Sequence, residues 1–266
     1  MERYFRIMEI IKNKKSEKIK SIDKALNLLE FLSDNGHEIG IVEINKKLGM
    51  GLSTVHRILN TLKFRGYIIQ NQKTAKYRLG IKLFEIGCEV QSTKNLINDT
   101  MPYLKKLSEL TKETANLAIL EGKEVIYLNT IESSEILRTG IHQGTRLPAH
   151  CTALGKVLLA FLPEEDFDDL YKDNETIVSI APNSISSFDE LKKELKKVKE
   201  QGYAIDREEF KVGINCISCP IFGKDGEFVA AISITGPATR LTSNKMEDAK
   251  HILINISKQI SENILM

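Results

Sequence analysis

The chain of 266 residues is 42% hydrophobic and 28% charged, contains six prolines and carries a formal net charge of +2. This mixture is typical of a globular protein and excludes a largely disordered one, and the length allows two ordinary domains. The longest apolar run, VLLAFL at residues 157–162, is far shorter than the roughly 18 residues of a membrane-spanning helix, and the first residues lack the apolar stretch of a signal peptide, so we expect a cytoplasmic protein without a membrane partner.

The positive charge is concentrated at the amino-terminal end. Residues 1–80 contain 16 Lys and Arg against 8 Asp and Glu, whereas the remainder contains 22 against 28. A basic block on an otherwise acidic protein indicates that the first part binds a polyanion. A solvated charged surface explains the imbalance alone equally well, so the sequence pattern has to decide between the two.

Residues 1–20 are interpreted as a basic extension, and two predicted helices follow it. The segment SIDKALNLLEFLSDNG predicts a helix with Ser21 as its N-cap and Gly36 near its end. Its apolar stripe is formed by Ile22, Leu26, Leu29 and Leu32. The segment IVEINKKLG predicts a second, shorter helix that stops at Gly49. Two helices joined in this way are typical of a helix-turn-helix unit.

The next segment, LSTVHRILNTL at residues 52–62, predicts a third helix with two chemically different faces. At 100° per residue the apolar side chains fall within an arc of about 120° and leave a polar face on the opposite side. The apolar set comprises Leu52, Val55, Ile58, Leu59 and Leu62. Two strand-like runs follow around a polar turn, at residues 67–70 and 76–79. Residues 21–80 are therefore predicted to form a winged helix-turn-helix domain, which is mainly α-helical.

The polar side chains of this domain suit DNA. The third helix presents Ser53, Thr54, His56, Arg57 and Asn60, and the predicted wing presents Lys73, Lys76 and Arg78. Side chains of these types hydrogen-bond base edges in the major groove, where Arg bridges both acceptors of a guanine, and the basic ones neutralise phosphates. Any one of them alone is equally typical of a solvated helix face. The whole arrangement, with its local positive charge, favours double-stranded DNA as a partner.

Residues 81–98 are predicted to form a linker helix, and residues 99–266 a second domain. The segment MPYLKKLSELTKET predicts an amphipathic helix with Pro102 in its first turn. Two strand hairpins follow, together with a helix that opens with a Ser187/Glu190 capping box and closes at Gly202, and a long final helix from about Ser243. Strands flanked by helices indicate an α+β fold.

The segment HCTALGK at residues 150–156 predicts the start of a helix that suits an anionic ligand. The backbone N–H groups of Ala153, Leu154 and Gly155 would face whatever lies at the positive end of the helix dipole. A carboxylate fits that position.

The cysteines provide a competing interpretation. In a cytoplasmic protein, cysteines are expected to be thiols or metal ligands rather than disulfides. Cys216 and Cys219, with His150 and Cys151, form a candidate Zn²⁺ set, which would make the chain a metal- or thiol-dependent binding protein or enzyme. Residues i and i+3 of a strand point to opposite faces, however, and the chain has no second CxxC. We therefore expect no metal and no cofactor.

Several motifs, in the same order, resemble the IclR family of bacterial transcription regulators. In the first part of the chain these are SIDKALNLLEFL, LGMGLSTVHRILNTL and KYRLGIKLFEIG, and downstream they are LPAHCTALGKVLLAFL, GYAIDREEF, GINCISCPIF and VAAISITGPATRLT. The resemblance covers about residues 21–266. Gly51 and Leu52 depart from it, because the family commonly has Pro or Ser followed by a basic or polar residue there. The departure affects position 52, from which the family usually contacts DNA.

The resemblance implies a regulator, more often a repressor than an activator, whose operator affinity changes when a small organic or sugar acid binds. It implies a GAF-like sensor domain after the linker helix, and an assembly as a homodimer or a dimer of dimers. The positions that match the family's acid-binding residues are Ala153, Leu154, Asp206, Cys216, Ser233 and Thr235.

The residues alone leave other interpretations of these positions open. Ser233 and Thr235 are equally candidates for exposed strand positions, Asp206 for the cap of a local turn, and Cys216 for a small buried apolar side chain. The sequence shows no set of nucleophile, base and orienting residue, so we do not expect an enzyme.

Overall fold

The computed structural model describes residues 18–171, 177–224 and 226–263. The chain divides into two compact units, residues 1–90 and residues 91–266. Each unit has its own hydrophobic core. Most of the predicted basic extension, residues 1–20, lies outside the described residues.

The described part of the first unit up to residue 80 consists of three helices and a two-stranded hairpin. They are α1 (Lys20–Asn35), α2 (Ile41–Leu48), α3 (Leu52–Phe64), β1 (Ile68–Gln70) and β2 (Tyr77–Leu79). Gly36 and Gly49 follow α1 and α2 in the left-handed conformation, with φ of 61° in each case, which glycine adopts without steric conflict. The two glycines thus set the points where the chain leaves each helix. The predicted winged helix-turn-helix fold is confirmed.

The core of the first unit lies against one side of α3. Val55 and Leu59 of this helix are fully buried and pack in one cluster with Leu28 of α1 and Ile44 of α2. The hairpin joins the same core through Tyr77, whose N–H and C=O pair with the backbone of Ile39 at 2.8 and 2.9 Å. The other face of α3 lies outside this core.

Three details of the helix predictions were wrong. The N-cap of α1 is Ile19 rather than Ser21, and Ile22 and Leu26 are 54% and 52% exposed. Leu52, at the first position of α3, is 49% exposed instead of buried. Apolar residues surround most of α1, so periodicity alone cannot select the stripe, and contacts with α2 and α3 select the one that contains Leu28.

The predicted linker segment is divided between two helices. Helix α4 (Lys82–Cys88) ends the first unit, and α5 (Gln91–Thr111) begins the second. Pro102 lies in the middle of α5, so its prediction in the first turn of a separate helix was wrong. A proline inside a helix costs about 3 kcal/mol. Leu96 and Leu104, on either side of Pro102, are both buried in the same core and offset that cost.

The second unit is built on a six-stranded antiparallel sheet with the strand order β5-β4-β3-β8-β7-β6. The strands are β3 (Thr114–Glu121), β4 (Glu124–Ile131), β5 (Arg146–Pro148), β6 (Ala204–Arg207), β7 (Ile214–Phe222) and β8 (Phe228–Pro237). The central strands β3 and β8 are joined by hydrogen bonds although they are more than 100 residues apart in sequence. The predicted α+β fold is confirmed.

Helices cover both faces of this sheet. One face is covered by α6 (Ala153–Ala160), α7 (Glu164–Tyr171) and α8 (Phe188–Gln201), and a 3₁₀ turn (Ala149–Cys151) precedes α6. The other face is covered by α5 and by α9 (Ser243–Asn263). Helix α8 has the predicted cap, because the Ser187 hydroxyl accepts the N–H of Glu190 at 3.2 Å. Of the helices in the described ranges, none is sufficiently long and apolar to span a bilayer.

Candidate functional site

The polar face of α3 is open in the first unit. Ser53, His56, Arg57 and Asn60 are exposed, whereas Thr54 is half-buried. Within the described residues, the side chains of the four exposed residues form no hydrogen bond or ion pair. Their donors and acceptors are therefore available to a partner, on a helix whose opposite face is fixed by the core.

The basic residues predicted on the wing are exposed at its turn and on β2. Lys73 and Lys76 belong to the turn, and Arg78 lies on β2 with its Nε 4.0 Å from a Glu38 carboxylate oxygen. The Asn71 side chain shapes the turn, because its Oδ1 accepts the N–H of Lys73 at 2.9 Å. The wing thus presents three basic side chains next to α3.

Glu38 fixes the wing, and sequence reasoning missed it. Its two carboxylate oxygens accept hydrogen bonds from the Asn71 Nδ2 at 2.9 and 2.8 Å, and one of them accepts the Thr74 hydroxyl at 3.1 Å. Glu38 lies in the connection between α1 and α2, more than 30 residues before its partners. A single sequence gives no signal for this long-range contact.

Buried polar side chains cross four neighbouring strands of the second unit on one face of the sheet. In the sheet register, Asp206 lies beside Cys216, and Cys216 lies beside Thr235. Two residues before Thr235 on β8, Ser233 lies beside Asn116. Residues two apart on a strand share a face, so these pairs form one patch. We call this patch the polar row; its members are Asp206, Cys216, Ser218, Ser233, Thr235 and Asn116. Each member is at most 5% exposed, so the interpretation of Ser233 and Thr235 as exposed strand positions was wrong.

Helix α6 begins against the face that carries the polar row. Ala153 and Leu154 are fully buried in the same cluster as Cys216, and the N–H groups of a helix's first turn have no acceptor within the helix. The Thr152 hydroxyl accepts the N–H of Gly155 at 3.1 Å. The Gly155 N–H is therefore committed to the cap, and the donors that remain for a ligand belong to Ala153 and Leu154.

Gly155 has a packing role instead. A Cβ on this residue would lie 2.1 Å from the Ala149 carbonyl oxygen and 2.3 Å from the Ala149 Cα. Only glycine lets α6 approach the preceding 3₁₀ turn this closely. The approach fixes the place where the first turn of α6 meets the sheet.

Asp206 is the acidic member of the polar row. Its Oδ1 accepts the N–H of Glu209 at 2.7 Å, so it also caps a local turn, as one interpretation of the sequence proposed. Burial, reinforced by the negative charge of Glu209, raises the pKa of the Asp206 carboxyl to about 7. Near neutral pH this group is therefore present in both protonation states.

A buried lysine holds the segment around Asp206. Lys156 of α6 is 1% exposed, and its Nζ donates to the carbonyl oxygen of Ile205 at 2.5 Å and to Glu209 Oε1 at 2.7 Å. Glu194 of α8 lies 3.6 Å from the same Nζ. Burial raises the pKa of the Glu209 carboxyl, and the positive charge of Lys156 opposes that rise. Sequence reasoning missed Lys156 because a lysine on a short helix is usually solvated.

A groove of about 720 Å³ lies beyond this ion pair, between α8 and β6. Lys193, Lys197, Tyr203 and Arg207 are among the residues that line it. None of the predicted effector residues contributes to its wall.

The cysteine set does not form a metal centre. Cys216 packs on the α6 side of β7 and Cys219 on the opposite side, as expected from their spacing. In residues 18–171, 177–224 and 226–263, no group of three or more His, Cys, Asp or Glu side chains is placed to hold a metal ion. Burial raises the pKa of the Cys216 and Cys219 thiols to about 12 and raises that of Cys151 as well, so these thiols stay protonated at neutral pH.

The remaining candidate ligand, His150, is half-buried on the 3₁₀ turn. Its Nε2 lies 3.0 Å from the Val178 carbonyl oxygen, and burial lowers the pKa of its imidazole. This contact leaves only the Nδ1 nitrogen of the ring for another partner.

Comparison with known proteins gives two matches to family descriptions. Residues 21–72 match the IclR helix-turn-helix domain. Residues 88–262 match the C-terminal domain described as bacterial transcriptional regulator IclR. The first match lies within the first structural unit, and the second covers nearly all of the second unit.

Individual proteins agree with these matches. The chain is 35% identical to the HTH-type transcriptional regulator XynR of Escherichia coli K12, over 92% of this chain and 94% of that protein. It is 30% identical to the HTH-type transcriptional repressor AllR of Salmonella typhi, over 91% of this chain and 88% of that protein. A crystal structure of an IclR homolog from Microbacterium hydrocarbonoxydans complexed with 4-hydroxybenzoate has the same fold, with a TM-score of 0.81 and 21% identity over 92% of this chain and 98% of that one.

Proposed function

The chain belongs to the IclR family of DNA-binding transcription regulators, which are not enzymes, and on that premise we propose that it is a repressor whose operator affinity is set by a small carboxylic acid bound in the second unit. The observation that carries the proposal is the open polar face of α3 on a rigid three-helix core. Repression is supported by the similarity to AllR, a repressor. A DNA partner supports a cytoplasmic location.

DNA recognition is assigned to the two exposed surfaces of the first unit. Helix α3 enters the major groove, where Arg57 and Asn60 have the donors and acceptors that read base edges. Ser53, Thr54 and His56 lie toward the amino-terminal part of the same helix. Lys73, Lys76 and Arg78 on the wing contact phosphates or the neighbouring groove.

Arg57 on α3 and Lys76 on the wing are expected to contribute to DNA binding in different ways. Arg57→Ala is expected to weaken operator binding by about 1–3 kcal/mol and to relax sequence preference, because it removes a base contact. Lys76→Ala is expected to weaken binding to all DNA and to reduce the salt dependence, because it removes a phosphate contact. Fluorescence anisotropy with DNA from upstream of the gene and with scrambled DNA, over a salt series, measures both effects.

Arg207→Ala is the matched control for these variants. Arg207 is an exposed arginine of the second unit, and its removal leaves the DNA-binding surface unchanged. If the Arg57 and Lys76 variants bind both DNAs as the control does, the assignment of the reading face is wrong. If the parent protein binds no DNA from that region, the proposal of a regulator acting there fails.

The polar row and the start of α6 are the proposed effector site. Ala153 and Leu154 supply first-turn N–H groups at the positive end of a helix dipole, and Ser233 and Thr235 supply hydroxyls on the facing sheet. Both sets suit a carboxylate. Asp206 and Cys216 complete the proposed site, and Gly155 supports it through packing. A thermal-shift screen of organic and sugar acids identifies the effector.

Effector affinity is expected to depend on pH through Asp206. The ionised Asp206 repels an anionic ligand and the protonated form does not, so affinity falls as pH rises through about 7, by up to about tenfold per pH unit. The charged groups around Asp206 are Glu209 and Lys156, and the neighbouring Cys151 and Cys216 thiols remain neutral. Isothermal titration between pH 5.5 and 8.5, with the acid found in the screen, measures the slope.

Asp206→Asn is the control for this titration, since the amide has the same shape and no charge to lose. Its affinity is expected to stay constant over the same pH range. An equal slope in this variant and in the parent would show that another group titrates.

The proposed assembly is a homodimer or a dimer of dimers. A two-fold operator requires two recognition helices about 34 Å apart, so one chain cannot occupy both half-sites. Effector binding changes operator affinity only if the acid binds the two arrangements of these helices unequally.

A further inference from the structure

Asn116 lies at the β3 end of the polar row and has an unusual hydrogen-bond pattern. It is fully buried on β3, next to Ser233 in the sheet register. Its Nδ2 lies 3.2 Å from the Ser233 Oγ and 3.2 Å from the Thr235 Oγ1. Its Oδ1 is buried and has no partner among the described residues.

This pattern fixes the orientation of two hydroxyl groups. An asparagine amide has two N–H hydrogens, and here each one is directed to a hydroxyl oxygen. A hydroxyl that accepts from Asn116 keeps its own hydrogen available for another acceptor. The reversed amide would leave two buried N–H donors unpaired in place of one acceptor, which is less favourable.

The hydrogen of at least one of these hydroxyls is not committed to a strong acceptor. Thr235 Oγ1 lies 3.1 Å from the Cys216 Sγ, and a thiol sulfur accepts hydrogen bonds poorly. Ser218, the nearby hydroxyl on β7, is different because it donates to the Ile232 carbonyl at 2.8 Å. The Ser233 and Thr235 hydrogens can therefore turn to a better acceptor without breaking a strong bond.

We infer that Asn116 is a positioning residue that sets the hydrogen-bond polarity of the proposed effector site, and this inference rests on that proposed site. Asn116 holds Ser233 and Thr235 as donors, so the proposed site selects a ligand group that only accepts hydrogen bonds, a carboxylate, over the primary amide of the same shape. The N–H groups of Ala153 and Leu154 contribute donors of the same polarity from the opposite wall.

Asn116→Asp tests this polarity with almost no change in shape. The introduced carboxyl has at most one hydrogen to donate, so at least one of the Ser233 and Thr235 hydroxyls loses its amide donor and can turn its hydrogen away from the ligand; the ionised form also adds a negative charge. The probes are acetate and acetamide, which differ only in that one carries a carboxylate and the other a primary amide. Their binding to the full chain is followed through the amide resonances of Ala153 and Leu154 by NMR, with sodium chloride to match ionic strength.

The parent protein is expected to prefer acetate over acetamide at least tenfold. Asn116→Asp should weaken acetate binding at least tenfold and leave acetamide binding no weaker, so the preference is lost or reversed. Asn116→Ala, which removes the donors without adding a charge, should reduce the preference to about threefold or less; it decides the question if the Asp variant does not fold.

Asn215→Asp is the matched control. Asn215 is a buried asparagine of β7 whose Nδ2 donates to the Leu241 carbonyl at 2.9 Å and whose Oδ1 also lacks a partner among the described residues. Its side chain lies on the other face of the sheet, so this variant should keep the parent's preference for acetate.

Two results overturn the inference in different ways. If folded Asn116 variants keep the acetate preference of the parent, Asn116 does not set the polarity, and the effector site itself stands. If the parent shows no acetate-dependent shift of Ala153 and Leu154, the proposed effector site fails and the inference fails with it.

Discussion

Lys156→Ala is expected to destabilise the second unit by about 3–5 kcal/mol, because it leaves the carboxylate of Glu209 buried without its cation. The Lys156 side chain is 1% exposed and that of Glu209 is 13% exposed, and their charged atoms are 2.7 Å apart. The variant also removes the hydrogen bond to the Ile205 carbonyl, next to Asp206. For a unit of this size the loss corresponds to a fall in melting temperature of about 6–20 °C, measured by calorimetry.

Lys192→Ala provides the comparison for this loss. Lys192 belongs to the neighbouring α8 and pairs with Asp168 at 2.9 Å, but both side chains are about half exposed. An exposed pair of this kind contributes about 1 kcal/mol or less. If Lys156→Ala is no more destabilising than Lys192→Ala, the buried ion pair does not hold the unit together.

The pH dependence of the Lys156→Ala variant gives a further check on the mechanism. Burial already raises the pKa of Glu209, and the loss of Lys156 removes the charge that opposes this rise. An acid whose pKa is higher in the folded than in the unfolded state binds its proton more tightly when folded. Its destabilising effect is therefore absent below the unfolded pKa and grows as pH rises toward the folded pKa. The difference between parent and variant should shrink at acidic pH, and Glu209→Gln in the same chain should restore part of the stability.

The first unit was largely predictable because its signals are local. Gly36 and Gly49 end helices where the backbone needs a left-handed residue, and the apolar period of α3 separates its buried face from its polar one. The errors lie where periodicity permits several solutions. On α1 the stripe through Ile22 and the stripe through Leu28 are both apolar, and only the packing of the three helices distinguishes them.

The second unit was less predictable because its site depends on strand register. The order β3-β8-β7-β6 brings Asn116 beside Ser233, more than 100 residues away, and no local pattern contains that pairing. The contacts of Lys156 with Glu209 and of Glu38 with Asn71 in the first unit also join residues far apart in sequence, so no local pattern predicts them. The family resemblance predicts Ser233, Thr235 and Asp206 as site residues. The contacts of Asn116 and Lys156 with this part of the sheet are seen only in the structure.

A similar distinction applies to the start of α6. Backbone N–H groups at a helix start are interchangeable when only the sequence is considered, so the sequence predicts the same role for Gly155 as for Ala153 and Leu154. The structure separates them, because the Thr152 cap takes the N–H of Gly155 and the close approach of Ala149 explains its missing side chain.

Gly155→Ala is accordingly expected to destabilise the second unit by about 1–3 kcal/mol, although alanine is the better helix former. The added Cβ meets the backbone of Ala149 at 2.1 Å, and backbone in a buried 3₁₀ turn cannot rotate aside as a side chain can. Gly87→Ala in α4 is the control, since nothing lies within 4 Å of its Cβ position, and it should be neutral or stabilising by up to about 1 kcal/mol. Thermal unfolding of both variants measures the contrast. Relief of the clash requires α6 to move away from the 3₁₀ turn, so folded Gly155→Ala protein should also lose its response to the acidic effector. If the two alanine variants unfold at the same temperature, the close approach of α6 to the 3₁₀ turn does not exist in solution.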